Sequence, residues 1–252
     1  MIDVFDRGLL LGDGLFETVL WEGGTPDAFE AHAARLIAGC AVLGLPAPGI
    51  GALEEAAVAA VEDARVTDVR AAVRLTWTAG SGGRGLDRPD TPAPLLIAAA
   101  AASAKPTTPA RLIIGTVRRN EGSPASRLKT LAYLDNVLAR REARAAGADE
   151  AIMLNNKGEI AGAAAANLFW IDGETLCTPA LTCGVLAGIV RAAVLERARA
   201  LGLIVREVAA GAQALHRADG LFLTNSLIGA RAAALGDSST TKAEAMIERL
   251  EV

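Results

Sequence analysis

Aromatic side chains are scarce in this chain, at 4% of 252 residues, so its core must be built from Ala, Val, Leu and Ile. The hydrophobic fraction of 52% supplies them amply. Positive charge has no excess: 25 Lys and Arg against 29 Asp and Glu leave a net charge of −4. No basic field therefore exists to draw in nucleic acid or an anionic membrane. The three cysteines, Cys40, Cys177 and Cys183, are odd in number and match no metal spacing, which fits a reducing cytoplasm. His32 and His216 are too few and too far apart for a zinc site, so no metal is expected. Long hydrophobic runs are absent as well. "IAAAAAS" at 97–103 is too short to cross a bilayer and reads as a buried strand. The N-terminus, "MIDVFDRGLLLGDG", lacks the basic region and apolar stretch of a signal peptide. A soluble globular protein in the cytoplasm is the expectation.

What is present has a two-part organisation. "LFETVLWEGG" reads as a strand ending in a turn at Gly23-Gly24, and "DAFEAHAARLIAGCAVLGL" as a helix stopping at Gly44. A second amphipathic helix, "ALEEAAVAAVEDARV", precedes the strands "VRAAVRLTWTAG" and "APLLIAAAAAS". The Pro/Thr cluster "AKPTTPA" at 104–110 reads as a linker, giving a domain at 1–103 and another at 111–252. Beyond it, "SRLKTLAYLDNVLARREARAAG" places Leu128, Leu131, Leu134, Val137 and Leu138 on one face of an expected helix, with Lys129 at its start and Gly147 at its C-cap. Short strands follow, joined by turns at Asn156-Lys157-Gly158 and Asp172-Gly173. "GVLAGIVRAAVLERARALG" is a second long helix, and "GDSSTTKAEAMIERLEV" a capped terminal one. The class is α+β.

Three features carry possible chemistry. A lysine beginning a helix is ordinarily solvated, but the apolar neighbours of Lys129 predict partial burial, which makes an amine a usable nucleophile. Gly184 and Gly188 precede a helix whose N-terminus would favour an anion, although many helices begin after glycine. The loop "SGGRGLDRP" presents Arg84 between glycines, suited to a carboxylate on a mobile loop if it is more than a hairpin. A nucleophilic lysine, a phosphate cradle and a carboxylate clamp are together the equipment of a pyridoxal-phosphate enzyme acting on amino acids.

The segments "RGLLLGDGLFET", "HAARL", "GSGGRG", "LKTLAYLDNVLARREARAAGADEAIML", "NLFW", "TPALTCGVLAGIVR" and "LFLTN", in that order, resemble the fold type IV pyridoxal-phosphate family almost end to end. That family holds branched-chain and D-amino-acid aminotransferases and 4-amino-4-deoxychorismate lyase. The resemblance implies a small N-terminal α/β sandwich domain, a larger C-terminal pseudo-barrel domain and a homodimer acting on a small amino-acid-like substrate. It implies Lys129 as the residue that bonds pyridoxal 5'-phosphate and shuttles protons. Arg35 would hold the phosphate, the backbone of Ile189 and Val190 after Gly188 would cap it, and Asn225 and Ser226 would complete the cup. Leu186 would pack on the pyridine ring, while Phe16 and Arg84 would face the substrate. The "GSGGRG" loop, the "LKTL" context and the short length lean towards the lyase, which forms 4-aminobenzoate and pyruvate for folate. The alternatives are an aminotransferase and a non-catalytic relative.

Two departures stand out. The family carries a glutamate, pairing with the pyridine nitrogen, five residues before the asparagine of "NLF"; that position here is Gly162, in the run "GAAAA". Small side chains along that run would leave room for the cofactor ring. Glu159 lies three residues upstream, an odd offset that would turn it to the opposite face of a strand. Val190 stands where the family usually has a threonine hydroxyl.

Overall fold

The computed structural model describes residues 2–251, and the chain divides into two compact units. The first comprises the residues up to Ala104 together with the segment Leu128–Ala132. Its elements are α1 (Arg7–Leu11), β1 (Gly14–Glu22), β2 (Thr25–Pro26), α2 (Phe29–Leu43), α3 (Ile50–Asp63), β3 (Ala71–Thr78) and β4 (Leu95–Ala102). The strands form an antiparallel sheet in the order β2-β1-β3-β4. Val19, Val73 and Leu75 from the sheet meet Ala33 of α2 and Leu53, Ala57 and Val61 of α3, an aliphatic core as the composition requires. The strand expected to be buried, β4, is instead an edge strand and half-exposed along its length. Helix α2 ends where the sequence places its stop, with Gly44 in the left-handed region at φ 64°.

The segment Leu128–Ala132 corrects a sequence expectation. Lys129 does not begin a helix. Its carbonyl accepts from the Phe16 N–H at 2.8 Å, the Leu131 N–H donates to Gly14 O at 3.0 Å, and Thr130 bridges Leu15, so the segment runs antiparallel to β1. Close approach is possible because position 14 has no side chain: a Cβ there would lie 2.4 Å from Trp77 O and 2.9 Å from Leu131 Cδ1.

The second unit holds β5 (Ala110–Arg119), α4 (Leu134–Ala145), β6 (Glu150–Asn155), β7 (Ile160–Ala163), β8 (Asn167–Asp172), β9 (Thr175–Pro179), α5 (Ile189–Ala200), β10 (Ile204–Val208), α6 (Gln213–Arg217), β11 (Gly220–Asn225), β12 (Gly229–Leu235) and α7 (Thr241–Leu250). Its mixed sheet runs β10-β9-β8-β11-β12-β5-β6-β7. Phe169 and Phe222 stack at 4.9 Å between ring centroids, against Val194, Leu195 and Ala198 of α5 and Ala243 and Leu250 of α7. Helix α4 turns an unexpected face inward. Asn136, Ala139 and Ala143 are buried, whereas Leu134 and Val137 are 68% and 58% exposed. Alanine lets the helix settle closely on Ala151 and Met153 of β6, and the leucine stripe is left outside. Among the described residues, no helix is long and apolar enough to cross a membrane.

Candidate active site

In the first unit the site is built around the Phe16 ring. Lys129 Nζ lies 4.2 Å from its centroid and the guanidinium carbon of Arg74 lies 3.8 Å from it. These are cation–π distances, and the ring tolerates both charges because its quadrupole offers them a negative face. Lys129 is half-buried, held by the backbone pairing to β1 just described. Sequence reasoning missed Arg74. The only signal for it was a charged residue alternating with apolar ones along β3, where Thr76 is the direct partner of Phe16 and Arg74 sits two residues away on the same side.

Arg35 is engaged with Glu17. Its Nε donates to Glu17 Oε1 at 2.8 Å and its Nη2 to Oε2 at 2.6 Å, while His32 Nδ1 lies 2.7 Å from the same Oε2. Burial pushes the Glu17 carboxyl up, and the bonds from Arg35 and His32 pull it down further, to a net position below the ordinary carboxylate range.

The Arg84 loop is more ordered than its glycines suggest. Arg7, 4% exposed, donates to the carbonyls of Leu86 at 2.8 Å, Asp87 at 3.0 Å, Gly85 at 3.3 Å and Gly82 at 3.4 Å. Its Nε meets Asp13 at 3.0 Å, and Arg88 clamps the same Asp13 through Nε and Nη2. The hydrogen bond from Arg88 holds the Asp13 carboxyl below its usual value against the opposing effect of burial, with Arg7 adding to it. The loop is folded around a buried guanidinium, with Arg84 exposed at its tip.

The second unit supplies a turn made of backbone. Gly188 is the N-cap of α5 with no side-chain cap, so the N–H groups of the first turn, those of Ile189 and Val190 among them, are available to an anion. Asn167 fixes this turn: its Nδ2 donates to Leu186 O at 2.9 Å, and its Oδ1 sits where a Cβ on residue 188 would be, only 1.9 Å away. A turn of backbone N–H groups with no side-chain cap, at the N-terminus of a 12-residue helix, fits a phosphate group. Arg191 anchors α5 by donating to Pro179 O and to Glu207. Val190 packs against the core beneath the turn, so it offers the anion its N–H alone. Leu186 is half-buried. Asn225 spends its side chain on local structure, donating to Ala165 O at 2.9 Å and accepting from the N–H groups of Leu227 and Ile228. Ser226 follows within that turn, half-buried.

The alanine run is part strand and part connection. β7 ends at Ala163, whose N–H donates to Ala166 O, and β8 begins at Asn167. Asn136 Nδ2 ties down Ala164 O at 2.7 Å. Gly162 is buried at φ 98°, a conformation that side-chain-bearing residues rarely adopt, and a Cβ there would lie 3.3 Å from Ala166 O. The carboxylate of Glu159 is already engaged, accepting from Asn155 Nδ2 at 2.7 Å. Of the residues that the resemblance assigns, Phe16, Arg35, Arg84 and Lys129 lie in the first unit, and Leu186, Gly188, Ile189, Val190, Asn225 and Ser226 in the second. Among the described residues, no group of three His, Cys, Asp or Glu could hold a metal ion.

A four-stranded antiparallel sheet with two helices, followed by a mixed eight-stranded sheet, is the architecture of the fold type IV pyridoxal-phosphate enzymes. The chain belongs to the amino-transferase class IV family, whose model matches residues 14–234, and that family depends on pyridoxal phosphate. It is 34% identical over 235 residues to a Methanocaldococcus jannaschii protein named "Putative branched-chain-amino-acid aminotransferase", covering 89% of this chain and 79% of that one. It is 28% identical over 233 residues to the aminodeoxychorismate lyase of Bacillus subtilis, covering 90% and 79%. The crystal structure of 4-amino-4-deoxychorismate lyase from Pseudomonas aeruginosa superimposes with a TM-score of 0.84 at 33% identity, covering 98% of this chain and 94% of that one. The chain is thus similar to relatives of both activities, at 34% and 33% identity, and identity does not choose between them.

Proposed function

We propose that the protein is a 4-amino-4-deoxychorismate lyase, releasing pyruvate and forming 4-aminobenzoate. The observation that carries this reading is Gly162 at φ 98°, with Glu159 already bonded to Asn155. Pyridoxal phosphate, when bound, supplies an electron sink for the carbon that loses its proton, and the sink is strongest when a carboxylate keeps the ring nitrogen protonated. With no carboxylate at position 162, an elimination driven by aromatisation of its product is favoured over transamination, which has no such driving force. Lys129 would hold the cofactor through its Nζ and, once the substrate amine has displaced it, its free amine would take the substrate's C4 proton. The Gly188 turn holds the phosphate. Arg84, presented by the loop around Arg7, is the cation for a substrate carboxylate. A homodimer is the expected assembly, and it has support from exposed apolar residues within each unit. These are Val4, Phe5, Leu9 and Leu10 around α1, and Leu134, Val137 and Leu138 on α4.

The second reading, an aminotransferase on branched-chain or D-amino acids, has in its favour the 34% identity to the M. jannaschii protein. The test is to incubate the purified protein with aminodeoxychorismate, and separately with amino-acid and keto-acid pairs, and to follow the products. Pyruvate and 4-aminobenzoate from the first, with slow or no exchange in the second, are expected. Rapid exchange without 4-aminobenzoate would overturn the lyase reading.

A further inference from the structure

The loop that carries Arg84 has little main-chain pairing of its own. Arg84 and Asp87 exchange one pair of N–H···O bonds, both at 3.1 Å. Gly82, Gly83 and Gly85 sit at φ 105°, 84° and 59°, and glycine has the most backbone freedom to lose when a chain is ordered. The carbonyls of Gly82, Gly85, Leu86 and Asp87 converge instead on one side chain, the buried guanidinium of Arg7. Its Nη1 donates to three of them and its Nη2 to the fourth, while Nε donates to Asp13. The loop has closed on this group without spare room: a Cβ on residue 83 would lie 2.1 Å from Asp87 O and 3.0 Å from Arg7 Nη1. The anchor is itself fixed. The Arg7 N–H donates to Gly80 O and the Ala79 N–H to Asp13 O, both at 2.9 Å. Arg88 joins Asp13 to the end of α2 by donating to Leu43 O at 2.6 Å.

We propose that Arg7 is a positioning residue for substrate binding. It holds the loop in one shape before the substrate arrives, so that Arg84 meets a carboxylate without an ordering cost. This rests on the reading of Arg84 as the cation for that carboxylate. A rival account works through charge. Arg7, Arg88 and Asp13 together carry one positive charge in surplus, and that field alone would attract an anion. Two substitutions separate shape from charge. Arg7→Lys keeps the charge, but an ammonium gathers its donors at one point and lacks the fork that serves four carbonyls and Asp13. Asp13→Asn enlarges the positive surplus while turning an amide N–H towards a guanidinium, which loosens the anchor. The charge account expects it to tighten substrate binding, and the positioning account expects it to weaken it. A loop that must be ordered on binding weakens substrate and transition state alike, so the effect belongs to KM and not to kcat.

The experiment measures KM and kcat of the cofactor-loaded full chain on whichever substrate the product assay identifies. It compares the parent, Arg84→Gln, Arg7→Lys, Asp13→Asn and the Arg7→Lys, Arg84→Gln double variant. Hydrogen exchange of the amides at 82–88 and thermal unfolding are followed in each. Arg84→Gln is expected to raise KM. Arg7→Lys should raise KM about tenfold with kcat at the parental value, speed exchange in the loop, and add nothing to Arg84→Gln. Asp13→Asn should also raise KM. If Arg84→Gln raises KM but Arg7→Lys changes only the thermal midpoint, Arg7 is merely structural; the positioning role is wrong and the Arg84 reading stands. Effects of Arg7→Lys and Arg84→Gln that add in full would overturn the positioning role in the same way. If Arg84→Gln leaves KM unchanged, the Arg84 reading itself fails, and the positioning role with it. Should Arg7→Lys not fold, Asp13→Asn carries the test by the sign of its effect. A raised KM with faster loop exchange supports the proposal, and a parental or lowered KM overturns it.

Discussion

The two units arrange their polar groups in contrasting ways. In the second unit the Gly188 turn offers backbone N–H groups at a helix N-terminus, with an asparagine filling the space that a side chain would take. In the first unit, side chains do everything: Glu17, His32 and Arg35 form one cluster, and Arg7, Asp13 and Arg88 form another that shapes the Arg84 loop. A backbone site is intolerant of added atoms but indifferent to pH. A side-chain site tolerates atoms but depends on which groups are charged. That difference gives each region its own way to fail.

The largest effect is expected at Lys129, whose Nζ is the amine placed against the Phe16 ring. Lys129→Ala should abolish covalent attachment of pyridoxal phosphate, read by borohydride reduction and peptide mapping, while leaving the fold intact. An adduct that persists elsewhere in the chain would remove Lys129 from its assigned role.

Gly188→Ala tests the backbone site. The new methyl group would fall 1.9 Å from Asn167 Oδ1, so either the asparagine releases Leu186 O or the turn shifts. A cost of about 1–3 kcal/mol in stability is expected for such overpacking, with a loss of pyridoxal phosphate affinity larger than that of pyridoxal. Parental affinity for both ligands in the Gly188→Ala variant would show that the turn is not the phosphate cradle, and the contrast between the units would collapse.

The side-chain site should be the one that feels acid. The folded-state Glu17 carboxyl lies below the ordinary range, which for glutamate is about 4.3 in an unfolded chain. A group depressed in the folded state contributes stability above its unfolded value, and that contribution is lost as pH falls through the folded value. The thermal midpoint of the parent should therefore decline as pH drops below about 4, and Glu17→Gln should show a shallower decline. Equal slopes in the two proteins would mean that Glu17 does not titrate with folding.

The same contrast explains what could be read from the sequence. Glycine turns and helix stops were legible at Gly44, Gly158 and Gly173, because a positive φ needs glycine and the chain advertises it. The Gly188 turn was visible as a glycine before a helix, although its φ is −71° and glycine is needed there for space beside Asn167. Side-chain clusters were not: Glu17 is one acidic residue in a strand, and its partners lie 15 and 18 positions away with no motif joining them. The helix expected to begin near Lys129 was misread because Leu128, Leu131 and Leu134 happen to share helical spacing. Pairing with β1 captured the first two, and α4 began only at Leu134. Tertiary contact overrode a local pattern, and the leucine stripe of α4 that suggested a core face is the exposed one. The alanine strand β4 was read as buried on composition, and only the sheet order reveals it as an edge.

The smallest and most discriminating effect is expected at Gly162. If no carboxylate reaches the pyridine nitrogen, nothing nearby stabilises its charged form, and the nitrogen is largely unprotonated at neutral pH. Transamination needs the resulting electron sink in both of its half-reactions, whereas an elimination that ends in an aromatic ring has its own driving force. Gly162→Glu should then raise any transaminase activity more than lyase activity. The backbone makes this a demanding substitution. A side chain at φ 98° is strained by about 1–3 kcal/mol, and its Cβ would press on Ala166 O at 3.3 Å. Gly162→Ala, which carries the strain without the carboxylate, is therefore the necessary control. It should lose stability and leave the ratio of the two activities at the parental value. The comparison is made on folded, cofactor-loaded protein of all three kinds, with the activity ratio as the readout. A ratio in Gly162→Glu that matches that of Gly162→Ala would show that the missing carboxylate does not select the reaction, and the argument from Gly162 to the lyase would fall.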